Sequence, residues 1–156
     1  MKNLIITWGL ALTTSFSAFA ATTATLNLKG NVPNVMSIDL VAESVALLLP
    51  LQTTQTNTRV AVVTEISNSN TGYKITAVST NLGTLKHANG NLFSYNLFYA
   101  GTNLNLQNAS PTPIVNSSTN AVNRTRDVTI SYTGVPADQL TAGDYTDSVT
   151  FTIAAN

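Results

Sequence analysis

Side chains able to do chemistry are few in this chain. The single histidine, His87, stands in Lys86-His87-Ala88-Asn89-Gly90, which reads as an exposed turn with no nucleophile or orienting carboxylate beside it. General acid–base work needs such a partner within hydrogen-bond reach. With no cysteine and one histidine, the usual zinc ligand sets are excluded. Asp138, Asp144 and Asp147 gather toward the end of the chain, but their spacing matches no EF-hand loop, and Asp144 beside Gly143 reads as a solvated turn residue. Glu43 and Glu65 are isolated in sequence, so no paired-carboxylate site can be read from spacing. Tyr95, Phe98 and Tyr99 could line a sugar site, yet aromatics at strand spacing are more often core. Asn-x-Ser/Thr sequons at Asn108, Asn116 and Asn123 are expected by chance in a chain so rich in these residues. The expectation is a non-enzyme: no catalytic residue, no metal ligand, no cofactor.

The elements that would position any site are strands. Thr and Val suit a pleated, half-buried surface, Asn, Ser and Gly supply turns, and only 9% of residues are charged. Residues 1–20 read as a signal peptide: Met1-Lys2, an apolar stretch from Leu4, and Ala18-Phe19-Ala20 as the small-x-small cleavage pattern. Without Lys2 the seven basic side chains become six against seven acidic, which leaves no basic stripe and no electrostatic case for nucleic acid. An exported chain without cysteine has no disulfide staples, so stability must come from sheet packing or from partners.

Along the rest of the chain, period-two patterning recurs and no convincing period of 3.6 appears. In residues 35–41, Met36, Ile38 and Leu40 share one side. The apolar run 45–51 is consistent with a doubly buried strand, interrupted by Pro50. In residues 59–67, Val60, Val62, Thr64 and Ile66 share a face, and the cluster Asn68-Ser69-Asn70-Thr71-Gly72 predicts a hairpin onto residues 73–79. A strand rich in aromatics is expected over 92–99, another over 127–132, and a last one over 145–155 with Val149, Phe151 and Ile153 on one face. Six to eight short strands separated by turn signals predict an all-β fold, an antiparallel sandwich in one domain.

One segment stands apart. Across residues 21–32, Thr22, Ala24, Leu26, Leu28, Gly30 and Val32 fall on one face and Thr23, Thr25, Asn27, Lys29 and Asn31 on the other. Pro33 then stops ladder pairing, because it has no N–H to donate. Two explanations stand: the segment pairs as an edge strand within its own sandwich, or it inserts into a neighbouring copy whose sheet lacks a strand. Gly30 on the apolar face suits a shallow place where the backbone must come close.

Three stretches carry a resemblance: residues 22–32 followed by 33–40, the central Leu92-Phe93-Ser94-Tyr95-Asn96-Leu97-Phe98-Tyr99, and the tail Ala142-Gly143-Asp144-Tyr145-Thr146-Asp147-Ser148-Val149-Thr150-Phe151-Thr152. In these the chain resembles chaperone–usher pilins of the Cys-free kind and the related spore coat protein U-type domains. The resemblance implies an incomplete immunoglobulin-like sandwich, residues 34–156, preceded by a donor strand in 21–33. It implies a structural subunit of a cell-surface fimbrium, exported through the periplasm, with a periplasmic chaperone, an outer-membrane usher and copies of itself or related pilins as partners. The pocket-filling residues would then be Thr22, Ala24, Leu26, Leu28 and Val32, with Gly30 among them. The acceptor groove would be flanked by Ile38 and Leu40 on one strand and by Val149, Phe151 and Ile153 on the other. Two other readings remain open: a secreted sandwich that binds a carbohydrate or host ligand, and a coat or matrix protein that assembles without a chaperone.

Overall fold

The computed structural model describes residues 22–108, 111, 113–117 and 121–156, so the expected signal peptide, 1–20, lies outside the described residues. The chain divides at Val32/Pro33 into two units. In the first, residues 22–32 form no helix or strand, and every one is exposed. The second, 33–156, is an all-β sandwich. No helix among the described residues is long and apolar enough to cross a membrane.

Eleven strands are described: β1 Met36–Ala42, β2 Gln55–Ser67, β3 Tyr73–Ser79, β4 Thr84–His87, β5 Leu92–Ser94, β6 Asn96–Tyr99, β7 Thr102–Asn103, β8 Val115–Ser117, β9 Val122–Tyr132, β10 Tyr145–Thr146 and β11 Val149–Ala155. One layer is a five-stranded sheet ordered β1-β2-β9-β6-β7; against it lie two three-stranded sheets, β11-β3-β8 and β10-β4-β5. All pairings are antiparallel. The core between them draws Val63, Leu97, Tyr99, Val128 and Ile130 from the large sheet and Tyr73, Ile75, Leu85 and Phe93 from the smaller two.

Several local expectations change. Residues 68–72 make no hairpin: β2 pairs with β1 and β9, β3 with β11 and β8, so the Asn/Ser/Gly cluster carries the chain from one layer to the other. A hairpin and a layer crossing need the same turn chemistry, so the cluster alone could not tell them apart. The run 45–51 is no strand. Residues Ser44–Leu47 form one turn of 3-10 helix, and Leu47 and Leu48 stand 88% and 83% exposed. The expected strand 92–99 breaks at Tyr95, where β5 leaves one layer and β6 joins the other.

The most consequential change is in β2. Its pairing with β9 slips between Arg59 and Ala61, so Val60 and Ala61 are both buried and the inward face becomes Val63, Glu65 and Ser67. An extra residue in one strand of a pair moves all following side chains to the opposite face. Val62, Thr64 and Ile66 share a face as expected, but it is the outer, half-exposed one.

Candidate functional site

The site begins at Pro33. Asn68, in the layer crossing, accepts from Val35 N–H through its Oδ1 at 2.6 Å and donates its Nδ2 to the Pro33 carbonyl at 2.8 Å. Its own N–H donates to the Val35 carbonyl at 3.0 Å. Three hydrogen bonds thus fix where the sandwich starts and where β1 takes its course. In the unit before it, Leu26, Leu28 and Val32 are 81%, 87% and 80% exposed. Thr22, Ala24 and Gly30 are exposed as well. Four or more alternating apolar positions left in water cost what their burial would return.

Of the six strands that end a sheet, two bear on the expected groove. β1 ends the five-stranded sheet with β2 as its neighbour, and β11 ends its sheet with β3 as its neighbour. Among the described residues neither has a ladder partner on its other side. β1 and β11 lie against each other across the layers. Between them the apolar lining is half finished: Met36 and Ile38 from β1 and Val149, Phe151 and Ile153 from β11 pack on the core yet remain partly exposed. Leu40 is more open still, at 42%. The residues expected to flank a groove, Ile38, Leu40, Val149, Phe151 and Ile153, are therefore brought to the facing edges of two strands. At one end this strip meets an open cavity of about 620 Å³ lined by Ala46, Leu47, Leu49, Leu85, Leu140 and Tyr145.

Beneath the strip lies a polar cluster that sequence reasoning missed. Ile38 stands opposite Glu65, and Glu65 opposite Arg124. The Glu65 carboxylate is fully buried. It accepts from Tyr73 OH at 2.6 Å, Tyr99 OH at 2.6 Å and Arg124 Nε at 2.7 Å. Arg126 Nε stands 3.7 Å away. Burial pushes this carboxyl up, but the two hydroxyl donors and the Arg124 guanidinium outweigh it and hold it below the ordinary glutamate value. Tyr73 is pushed up to about 12 by burial and by the anion it serves. Tyr99 rises for the same two reasons. The signal for the cluster was the alternation Arg124, Arg126, Val128, Ile130, Tyr132, which puts both arginines on the inward side of β9.

A second polar tie sits at the other end of β11. Asp147 accepts from Ser79 Oγ at 2.6 Å, from Asn81 N–H at 2.9 Å and from Tyr95 OH. Asp147 is thus a structural acceptor, whereas Asp144, read as a solvated turn residue, is exposed. His87 is likewise no free turn residue: on β4 it is half-buried, its ring 5.0 Å from that of Tyr145. Gly143 lies so close that a Cβ there would stand 2.5 Å from His87 Nε2. Tyr95 and Tyr99, two of the three aromatics considered for a sugar site, are buried in the core. Of the three sequons, those at Asn108 and Asn116 run into residues outside the described set, and Asn123 lies exposed on β9 opposite Ile66.

No protein-family model matches the chain, and no curated protein is similar to it.

Proposed function

We propose that this chain is a structural subunit of a surface fibre, in which residues 22–32 of one copy insert between β1 and β11 of the next, two strands that must part where they now touch to admit a third. The observation that carries this reading is the coexistence, in one chain, of an exposed alternating segment and two facing strand edges with a half-finished apolar strip between them. An inserted strand would find ladder groups on both sides and pockets for alternate side chains, the logic of β-strand addition. An immunoglobulin-like sandwich short of one strand, a chaperone that lends a strand during export and an usher that exchanges it belong to the same proposal.

Magnitudes favour a joint that completes the recipient. Burying Leu26, Leu28 and Val32 is worth roughly 1.5–3 kcal/mol each. Each ladder hydrogen bond adds roughly 0.5–1.5 kcal/mol. Ordering the segment costs roughly 1–2 kcal/mol per residue, so gain and cost are of one size. A durable joint therefore also needs the gain from covering Ile38, Phe151 and Ile153 in the receiving copy.

Unboiled samples of the exported chain should run as ladders on denaturing gels. Deleting residues 22–32 should abolish the ladders while export continues. A chain that stays monomeric, or that keeps its ladders after the deletion, would refute the proposal; the first outcome is the one a lone ligand-binding sandwich would give.

A further inference from the structure

We infer that Lys29 of the inserted segment pairs with Asp39 of the receiving copy, and that this pair sets the register and direction of the joint; the inference rests on the strand-insertion reading above. Lys29 is the only charged residue in 22–32, and it lies on the face opposite Leu26, Leu28, Gly30 and Val32. When those side chains point into the sandwich, Lys29 points outward. On β1 the alternation is the same: Met36 and Ile38 are turned partly inward, while Ser37 and Asp39 are exposed. Asp39 is the only ionisable side chain on either open edge, since β11 offers Thr150, Thr152 and Ala154 outward. It makes no ion pair among the described residues. Its neighbours on the outer face, Thr64 opposite and Val62 and Ile66 on either side, carry no charge. Glu43, the nearest acid along the chain, is already held by Arg59 at 2.8 Å.

Asp39 also selects against the wrong partner. It is the central residue of the seven in β1. Two copies pairing β1 to β1, antiparallel and centred, would set one Asp39 against the other. Like charges directly opposite destabilise a strand pair, and a charge on an edge strand is a common guard against edge-to-edge association. An incoming strand with a lysine at the matching position turns that guard into a contact.

Direction follows from two further observations. The chain leaving β1, Ala46 to Leu49, lines the same cavity as Tyr145 to Asp147 at the start of β11, so β1 and β11 run in opposite directions. A strand inserted antiparallel to β11, the more stable pairing, runs parallel to β1. With Lys29 beside Asp39, Leu26 then falls beside Met36, Leu28 beside Ile38, Gly30 beside the more open Leu40, and Val32 beside Ala42. Pro33 of the incoming copy arrives at Glu43, and its sandwich begins next to Leu47 and Leu48, the two most exposed leucines of this sandwich. The opposite direction would deliver that sandwich to the Met36 end and leave both leucines in water.

Because the chain has no cysteine, introduced thiols report one contact each. Fibres of Lys29→Cys/Asp39→Cys and of Asn27→Cys/Ser37→Cys should give ladders that survive boiling without reductant and collapse with it. Asn27→Cys/Val41→Cys should not. Asp39→Lys should speed dissociation of unboiled ladders by roughly two- to five-fold, and adding Lys29→Asp should restore it. A cross-link for 27/41 in place of 27/37 overturns the direction. Intact unboiled ladders with no 29/39 cross-link overturn the register but leave strand insertion standing. A 29/39 disulfide confined to monomers overturns the pairing between copies. Absence of ladders in the unsubstituted chain sinks insertion itself, and the pairing with it.

Discussion

Replacing Glu65 by Gln tests whether the buried polar cluster holds the sandwich together. The side chain keeps its size but loses its charge, so Arg124, now 2.7 Å from a carboxylate oxygen, faces a neutral amide. One of the two tyrosine hydroxyls that donate to Glu65 at 2.6 Å must meet an NH₂ group and turn to accept. Removing one partner of a fully buried pair costs about 3–5 kcal/mol, but Arg124 is 34% exposed and water takes up part of its charge, so a loss of about 1–3 kcal/mol is expected. Domains have stabilities of about 5–15 kcal/mol, so this is a large share. At roughly 4 °C for each kcal/mol in a unit of this size, the melting temperature should fall by roughly 4–12 °C. Circular dichroism melts at pH 7 of the chain and its variant would measure this. The companion variant Glu65→Leu/Arg124→Leu/Tyr73→Phe/Tyr99→Phe removes the acid, its cation and both donating hydroxyls, and should melt much closer to the parent, since an apolar replacement of a whole buried cluster is often neutral. An unchanged melt for Glu65→Gln would refute the reasoning: the carboxylate would then contribute nothing beyond its volume.

If residues 22–32 insert as proposed, Leu28→Asp places a charge where the inserted face must be dry, so unboiled ladders should dissociate at lower temperature; ladders as stable as the parent's would remove Leu28 from the joint. The pH dependence has two limbs. Glu65 is held below its usual value of 4.5, so its contribution is full above that pH and is lost as pH falls through the lowered value. Tyr73 rises from 10.0 to about 12, so its contribution is present below pH 10 and is lost between pH 10 and 12; melts from pH 2 to 12 should show both declines, and Tyr73→Phe should shrink the alkaline one, which Tyr99, raised for the same reasons, shares. Gly134→Ala should destabilise by about 1–3 kcal/mol, because its Cβ would stand 2.6 Å from both the Gln52 carbonyl oxygen and the Thr54 nitrogen. Denaturant titration would read that loss as a lower midpoint with an unchanged slope.

What the sequence disclosed follows from how much of the information was periodic. β11 was legible because Val149, Phe151 and Ile153 alternate with Thr150 and Thr152 through its whole length and no bulge intervenes. β2 was legible as a strand but not in its facing, because the slip at Arg59–Ala61 is invisible to a period-two pattern in which Val60, Val62 and Ile66 look like the core side. Glu65 was therefore passed over as an isolated acid. Its partners Tyr73, Tyr99 and Arg124 lie 8, 34 and 59 positions away, and only the packing of two layers brings them together. The run 45–51 misled for a different reason: a short apolar stretch says that burial is needed, not where the covering surface comes from. Leu47 and Leu48 are apolar and uncovered in the single chain, which no propensity scale anticipates.

The two polar ties have a common position that bears on why an open sandwich keeps its shape. Tyr73 is paired with Ala155 at one end of the β3–β11 ladder, and Ser79 is paired with Val149 at the other. Tyr73 donates across the layers to Glu65, and Ser79 donates to Asp147, which also receives Tyr95 at the point where the chain changes layers. Both ends of the β3–β11 ladder are thus held by directional bonds to charged acceptors, which are stronger and shorter than neutral ones. The stretch between, Phe151 and Ile153, is apolar and half-exposed. Apolar attraction alone has no preferred direction and would favour drawing β1 and β11 together until the strip was covered. Bonds of fixed length resist that collapse, because a change in layer spacing would distort Tyr73–Glu65, and a buried carboxylate short of a donor costs about 1–3 kcal/mol or more. The spacing of the layers at both ends of this ladder is thereby tied to hydrogen-bond geometry, while Phe151 and Ile153 between them stay half-exposed.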